Sequence, residues 1–222
     1  MRVLVICAHP DDETLGCGGT MLKHVAAGDE LTWAIATQAH EPQWSRETIE
    51  LKAVEVDRVA EAYGVARHVR LGFPSSRLDV TPRSELMAAV GGVVEQARPE
   101  LVYVVHPGDV HGDHADVFEA TLGVLKAFRM GTLGVRRVLA YETLSSTDAA
   151  PPSPARAFLP TVFSDVSDRL ERKLEIMAFY ESEAQPDPLP RGPEAIRALA
   201  RLRGATVGVR YAEAFTLVRE LV

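Results

Sequence analysis

Cysteine is nearly absent: the 222-residue chain has two, Cys7 and Cys17. Two isolated thiols make neither a zinc knuckle nor a disulfide framework. Cys7 closes an apolar run and reads as buried volume. Positive charge is also short, with 24 Lys and Arg against 31 Asp and Glu and a net charge of −7. That balance excludes a general nucleic-acid or anionic-membrane surface. Lysine occurs only at positions 23, 52, 126 and 173. No apolar run approaches the roughly 20 residues of a membrane span, and Met1-Arg2-Val3-Leu4 opens without a cleavable signal pattern. A cytoplasmic protein with no membrane insertion is expected. There is no H-E-x-x-H, G-x-S-x-G or Walker sequence, and Gly16-Cys17-Gly18-Gly19 does not fit the dinucleotide pattern G-x-G-x-x-G.

What remains is an ordinary globular composition, 46% hydrophobic and 25% charged, in a length that suits one α/β domain, here residues 1–222. Short apolar runs at 3–6, 31–37, 65–71, 101–105 and 138–141 read as strands. Between them the spacing predicts helices over 14–27, over 45–63 with Ser45 as cap and Gly64 as stop, from Pro82 to about 98, and over 114–127. Strands alternating with helices at this spacing mean parallel βαβ units with right-handed crossovers. Residues 145–160, rich in Ser, Ala and Pro, read as a surface excursion or part of a lid. Residues 161–165 suit a late edge strand, and Ser167 suits the cap of a helix reaching 180. Residues 185–193 are proline-rich and look mobile. A helix over 194–203 and a closing element from 211 complete the chain.

The two most apolar strands, 3–6 and 101–105, both empty into loops loaded with acid–base groups. The first loop is His9-Pro10-Asp11-Asp12-Glu13 and the second runs from His106 through Asp109 to His111-Gly112-Asp113-His114. If both strands are central and parallel, both loops open on the carboxyl edge of the sheet, where open α/β folds put their sites. His9, Asp12 and His114 then supply the three ligands of a hydrolytic metal centre with one open position. Asp11 is left beside the ion as a base for its water. His111, as a cation, suits the oxyanion and the leaving amine, and Asp109 is placed to orient one imidazole, by preference His111. Glu13 reads as structural, and so do His24, His40 and His68.

At these residues the chain resembles the LmbE-like superfamily, also named for the PIG-L de-N-acetylases. The matching signatures are Ala8-His9-Pro10-Asp11-Asp12-Glu13 and Asp109-Val110-His111-Gly112-Asp113-His114. Weaker matches run through Gly72-Phe73-Pro74, Arg77-Leu78-Asp79, Lys173 and residues 211–215. The resemblance implies a Rossmann-like, mostly parallel sheet with helices on both faces. It implies zinc on His9, Asp12 and His114, or else Fe2+. Asp11 would be the general base and His111 the charged partner of the tetrahedral intermediate. The implied substrate is a small N-acetylated amino-sugar conjugate, as for the short bacterial deacetylases of low-molecular-weight thiol synthesis, and the implied assembly a homo-oligomer. Lys52, where the family usually has arginine, Arg77 and Arg137 are the implied substrate contacts, with Asp11 the alternative partner of Arg137. Two other readings stay open: a two-His-one-carboxylate iron(II) enzyme, and a sugar- or nucleotide-binding protein without catalysis.

Overall fold

The computed structural model describes residues 1–151 and 153–222. Pro152, within the expected 145–160 excursion, lies outside the described residues. Fully buried apolar runs form the centre of the sheet. Strand β1 (Arg2–Cys7) pairs with β2 (Glu30–Gln38) on one side and with β4 (Leu101–Val105) on the other, all parallel. β3 (Arg67–Pro74) extends one edge in parallel, and β5 (Arg137–Tyr141) lies parallel beside β4. β6 (Val162–Asp165) and β7 (Ala212–Glu220) close the other edge antiparallel, giving the order β3-β2-β1-β4-β5-β7-β6. β6 is the edge strand expected from 161–165.

The crossovers are α1 (Asp12–Ala26), α2 (Arg46–Tyr63), α3 (Arg83–Ala97), α4 (Gly112–Val124) and the short α5 (Met130–Leu133), followed late in the chain by α6 (Leu170–Met177) and α7 (Pro193–Val207). Local chemistry explains their ends. Ser45 accepts from the Thr48 N–H at 3.2 Å, and Gly64 stops α2 at φ 69°. Ser167 does not cap α6. Its hydroxyl is taken by Asp165 at 2.6 Å, and the helix starts later, at Leu170. The 185–193 stretch is folded into turns, with Arg191 N–H donating to Gln185 Oε1 at 3.2 Å.

α1 sits deep in the molecule. Its first ten residues, Asp12 to Met21, are all buried, and it bends at Cys17 (φ −140°, ψ 17°). A Cβ on Gly16 would lie 2.1 Å from the Tyr141 ring, and one on Gly18 would lie 2.4 Å from the Tyr63 hydroxyl. The glycine run therefore serves close packing, not a phosphate. At the bend, Glu213 accepts the N–H groups of Gly19 (2.8 Å) and Thr20 (2.7 Å), while Lys173 bonds the Leu15 carbonyl (2.9 Å) and Glu213 (2.7 Å). This buried ion pair satisfies the backbone groups that the bend releases, and it fixes the helix whose first turn carries Asp12. No helix among the described residues is long and apolar enough to cross a membrane.

Candidate active site

The chain runs outward from β1 through β2 to β3 on one side and from β4 to β5 on the other, so the strand order reverses between β1 and β4. In open α/β sheets the ligand crevice lies outside the carboxyl ends of such a pair. Ile6 is in register with Val104, so the two acid–base loops leave the sheet side by side. They form one wall of a pocket of about 400 Å³ that also takes in Trp44, Lys52 and Arg191.

Three electron donors meet at the base of this pocket. His9 Nδ1 and His114 Nε2 are 3.2 Å apart, and Asp12 Oδ1 is 3.4 Å from His114 Nε2. Each imidazole has its other nitrogen on a carboxylate. His9 Nε2 faces Asp113 Oδ2 at 2.9 Å, and His114 Nδ1 faces Asp109 Oδ2 at 2.7 Å. Those bonds place the ring protons on the carboxylate side and turn two lone pairs toward each other. A buried spot with two lone pairs and a carboxylate requires a positive charge, either a proton or a metal ion. Burial alone would lower the His114 pKa, but Asp12 and Asp109 outweigh it and push it up to about 10. Burial likewise works against the Asp12 carboxylate, yet His114 and His9 hold its pKa well below the usual range. Asp12 Oδ2 is fixed by the N–H groups of Ala8 (3.0 Å) and His9 (2.8 Å), which leaves Oδ1 toward the imidazoles. The donor set fits a divalent cation. His111 also offers a nitrogen, and the three histidines have ligand atoms within 4.8 Å of one another. Asp12 is the better third ligand on charge grounds, because a divalent ion in a buried pocket needs an anion.

Asp11, next to this corner, adopts φ 106° and ψ −29°, a left-handed backbone that costs a non-glycine residue about 1–3 kcal/mol. The surroundings impose it. Asp11 N–H donates to Glu13 Oε2 at 3.2 Å, Glu13 Oε1 accepts from the Tyr180 hydroxyl at 2.8 Å, and Asp11 O receives the Leu15 N–H at 2.8 Å. Glu13 is thus structural, as its position suggested. Asp11 Oδ2 is paired at 3.0 Å with Arg191. Burial, Asp12 and Glu183 raise the Asp11 pKa well above the ordinary value despite that arginine.

Four expectations are corrected. Asp109 orients His114, not His111, because His111 is the N-cap of α4 and its Nδ1 accepts the Asp113 N–H at 3.3 Å. The charge expected on His111 is disfavoured: burial, then the neighbouring His9 and His114, push its pKa down to about 4. Arg137 opens β5 at the amino end, on the opposite rim from the pocket, and pairs with Glu220. Arg77 is exposed and lies outside the pocket wall. Lys52 does line the pocket, where it pairs with Glu183 and bonds the Ser182 hydroxyl at 3.0 Å. Sequence reasoning missed Asp113, Glu183 and Arg191. Asp113 sits between two histidines and accepts the Ser76 N–H at 2.7 Å, a hint that the loop pattern carried. For Arg191, 180 residues from its partner, no local signal exists.

The fold and site define a Rossmann-type α/β protein whose switch-point crevice carries a cluster able to hold a metal ion. Residues 4–125 match the family described as PIG-L, GlcNAc-PI de-N-acetylase, and the chain belongs to that family. It is 26% identical to the diacetylchitobiose deacetylase of Thermococcus kodakarensis over 235 residues, covering 98% of this chain and 83% of that protein. It is 24% identical to the probable N-acetyl-alpha-D-glucosaminyl L-malate deacetylase 2 of Bacillus anthracis, covering 82% of this chain and 81% of that one. Among solved structures, the conserved protein TT1542 of Thermus thermophilus superposes with a TM-score of 0.77 at 26% identity, over 100% of this chain and 96% of that one.

Proposed function

We propose that the protein is a zinc-dependent hydrolase that removes the acetyl group from an N-acetylglucosamine-type conjugate. The observation that carries this reading is the convergence of His9 Nδ1, His114 Nε2 and Asp12 beside the Asp11 carboxylate in a pocket of sugar size. The names borne by the relatives support the substrate class. His9, Asp12 and His114 would hold a divalent cation, which would supply Lewis acidity and lower the pKa of a water from about 15.7 towards about 7.

The protein's own groups do the rest. Asp11 accepts the proton of the attacking water as its oxygen bonds to the carbonyl carbon. Because His111 Nδ1 is an acceptor, its Nε2 carries the hydrogen, and this neutral donor stabilises the developing oxyanion. As the C–N bond breaks, the proton held on Asp11 passes to the amine, releasing acetate and a free amino sugar. Asp11 thus serves first as base and then as acid. Acetate release from N-acetylglucosaminyl malate, inositol and plain N-acetylglucosamine, and from diacetylchitobiose, tests the reading with and without a chelator. Loss of release on chelation and its return with Zn2+ are expected. Release that survives metal removal overturns it.

A further inference from the structure

Arg191 reaches the site from outside the two acid–base loops. It lies in the turns between α6 and α7, held by Gln185 at its N–H, while Asp187 Oδ1 accepts the Glu194 N–H at the start of α7. A single nitrogen, Nη1, contacts Asp11 Oδ2 at 3.0 Å and Glu183 Oε2 at 2.6 Å. Glu183 in turn takes Lys52, and Ser182 next to it bonds both oxygens of Glu55, from its N–H at 2.8 Å and its hydroxyl at 2.6 Å. The guanidinium is therefore anchored to α2 through Glu183 before it meets Asp11.

The electrostatics of the corner give this anchoring a purpose. Asp11 and Asp12 are adjacent in sequence and both line the pocket. A divalent ion held by Asp12 also attracts the adjacent carboxylate, and an Asp11 with Oδ1 on the ion and Oδ2 on Arg191 has no free oxygen with which to take a proton. An opposing cation in fixed geometry resists that pull, and guanidinium forms shorter, stronger bonds to a carboxylate than a neutral donor does. Engaging Oδ2 leaves Oδ1 without a hydrogen-bond partner among the described residues.

Resting on the deacetylase reading above, we infer that Arg191 is a positioning residue that holds Asp11 out of the metal's coordination sphere, with Glu183 as its brace.

The test uses the full chain loaded with Co2+, whose visible absorption weakens as ligands are added to a four-coordinate site and whose affinity is read by chelator competition. In Arg191→Ala, Asp11 swings onto the ion, so Co2+ binds about tenfold tighter, as an added anionic ligand requires, and the band weakens. Adding Asp11→Asn to Arg191→Ala returns both readings to those of the native protein. Turnover in Arg191→Ala falls about 100-fold through kcat, with KM little changed, the loss expected when a reacting group is misplaced by about 1 Å. Arg191→Lys recovers part of it. Glu183→Gln, which leaves the arginine in place but loosens its brace, moves Co2+ affinity in the same direction by less, and serves if the alanine variant does not fold. An unchanged band and affinity in Arg191→Ala overturn the proposal, as does a rise in KM with kcat intact, which makes Arg191 a substrate contact. If the native protein binds Co2+ but releases no acetate, the substrate reading fails while the Co2+ measurements still decide the role of Arg191.

Discussion

Replacing Asp109 tests the whole chain of reasoning about the metal corner. Its side chain is fully buried, and Oδ2 accepts both His114 Nδ1–H at 2.7 Å and the Thr147 hydroxyl at 3.1 Å. Oδ1 has no partner among the described residues. In Asp109→Asn the amide oxygen takes the Oδ2 position and the amide nitrogen the Oδ1 position, so no existing bond is displaced and the His114 tautomer is kept. What disappears is the negative charge that makes His114 Nε2 a better ligand. Losing such an outer partner lowers metal affinity about 10- to 100-fold, or about 1.4–2.7 kcal/mol. Asp109→Ala loses the acceptor as well. It leaves a buried Nδ1–H unpaired at a cost of about 1–3 kcal/mol, frees the ring to turn, and weakens the metal further than the asparagine does. Zn2+ affinity by chelator competition, alongside urea unfolding of the metal-free variants, separates the two terms. If both variants bind Zn2+ within about twofold of the native protein, less than any lost outer partner allows, His114 Nε2 is not a ligand and the metal set proposed here is wrong.

Other perturbations reach different parts of the site. Asp11→Asn should retain one metal ion per chain and lose about 100-fold or more in kcat, the contribution of a positioned base, whereas His114→Ala should lose the metal; metal content and acetate release on both variants would show the roles reversed. Lys173→Met strands Glu213 in the interior and should cost about 3–5 kcal/mol in urea unfolding; a loss under about 1 kcal/mol, the range of an exposed pair, would mean that the α1 bend does not depend on it. Burial, only partly answered by the Thr14 and Tyr180 hydroxyls, pushes Glu13 up to about 7 from an ordinary 4.5. The folded chain therefore keeps a proton that the unfolded chain gives up between those values, and the stability of the metal-free protein falls as pH rises through that window. Glu13→Gln should flatten the melting-temperature profile there, and an unaltered profile would assign the slope to another group.

Much of this architecture is legible in the sequence because its causes are local. An apolar run that ends in His-Pro-Asp-Asp declares both a central strand and what stands at its carboxyl end, and residues 101–114 repeat the message. Ser45 and Gly64 bracket α2 by capping chemistry alone. Expectation and structure part where spacing permits two outcomes. His111 and His114 are both within reach of Asp109, and only the start of α4 at Gly112 decides between them. With His111 as N-cap, its Nδ1 is committed to Asp113 N–H, and His114, inside the first turn, faces Asp109. Arg137 fails on strand polarity: a residue that begins a parallel strand lies a strand's length from a site at the strand's end. The charge of His111 was invisible for another reason, since its pKa depends on burial and on two imidazoles that only the fold assembles.

The groups that make the site and those that restrain it come from different parts of the chain. His9, Asp11, Asp12, Asp109, His111 and His114 all fall within residues 4–125, the stretch that matches the PIG-L family. Arg191 and Glu183, which fix the Asp11 carboxylate, fall outside it, in turns that follow α6. A cluster of lone pairs and carboxylates can gather an ion from local sequence alone, because two strand ends at one switch point suffice. A cation that holds one carboxylate off that ion has to come from elsewhere, since the two loops present only acids and imidazoles around the corner. The restraint has to be long-range. It follows that Asp11 is the point in the site most sensitive to changes far from it in sequence, and that substitutions in residues 181–192 should alter kcat while leaving His9, Asp12 and His114 able to bind metal.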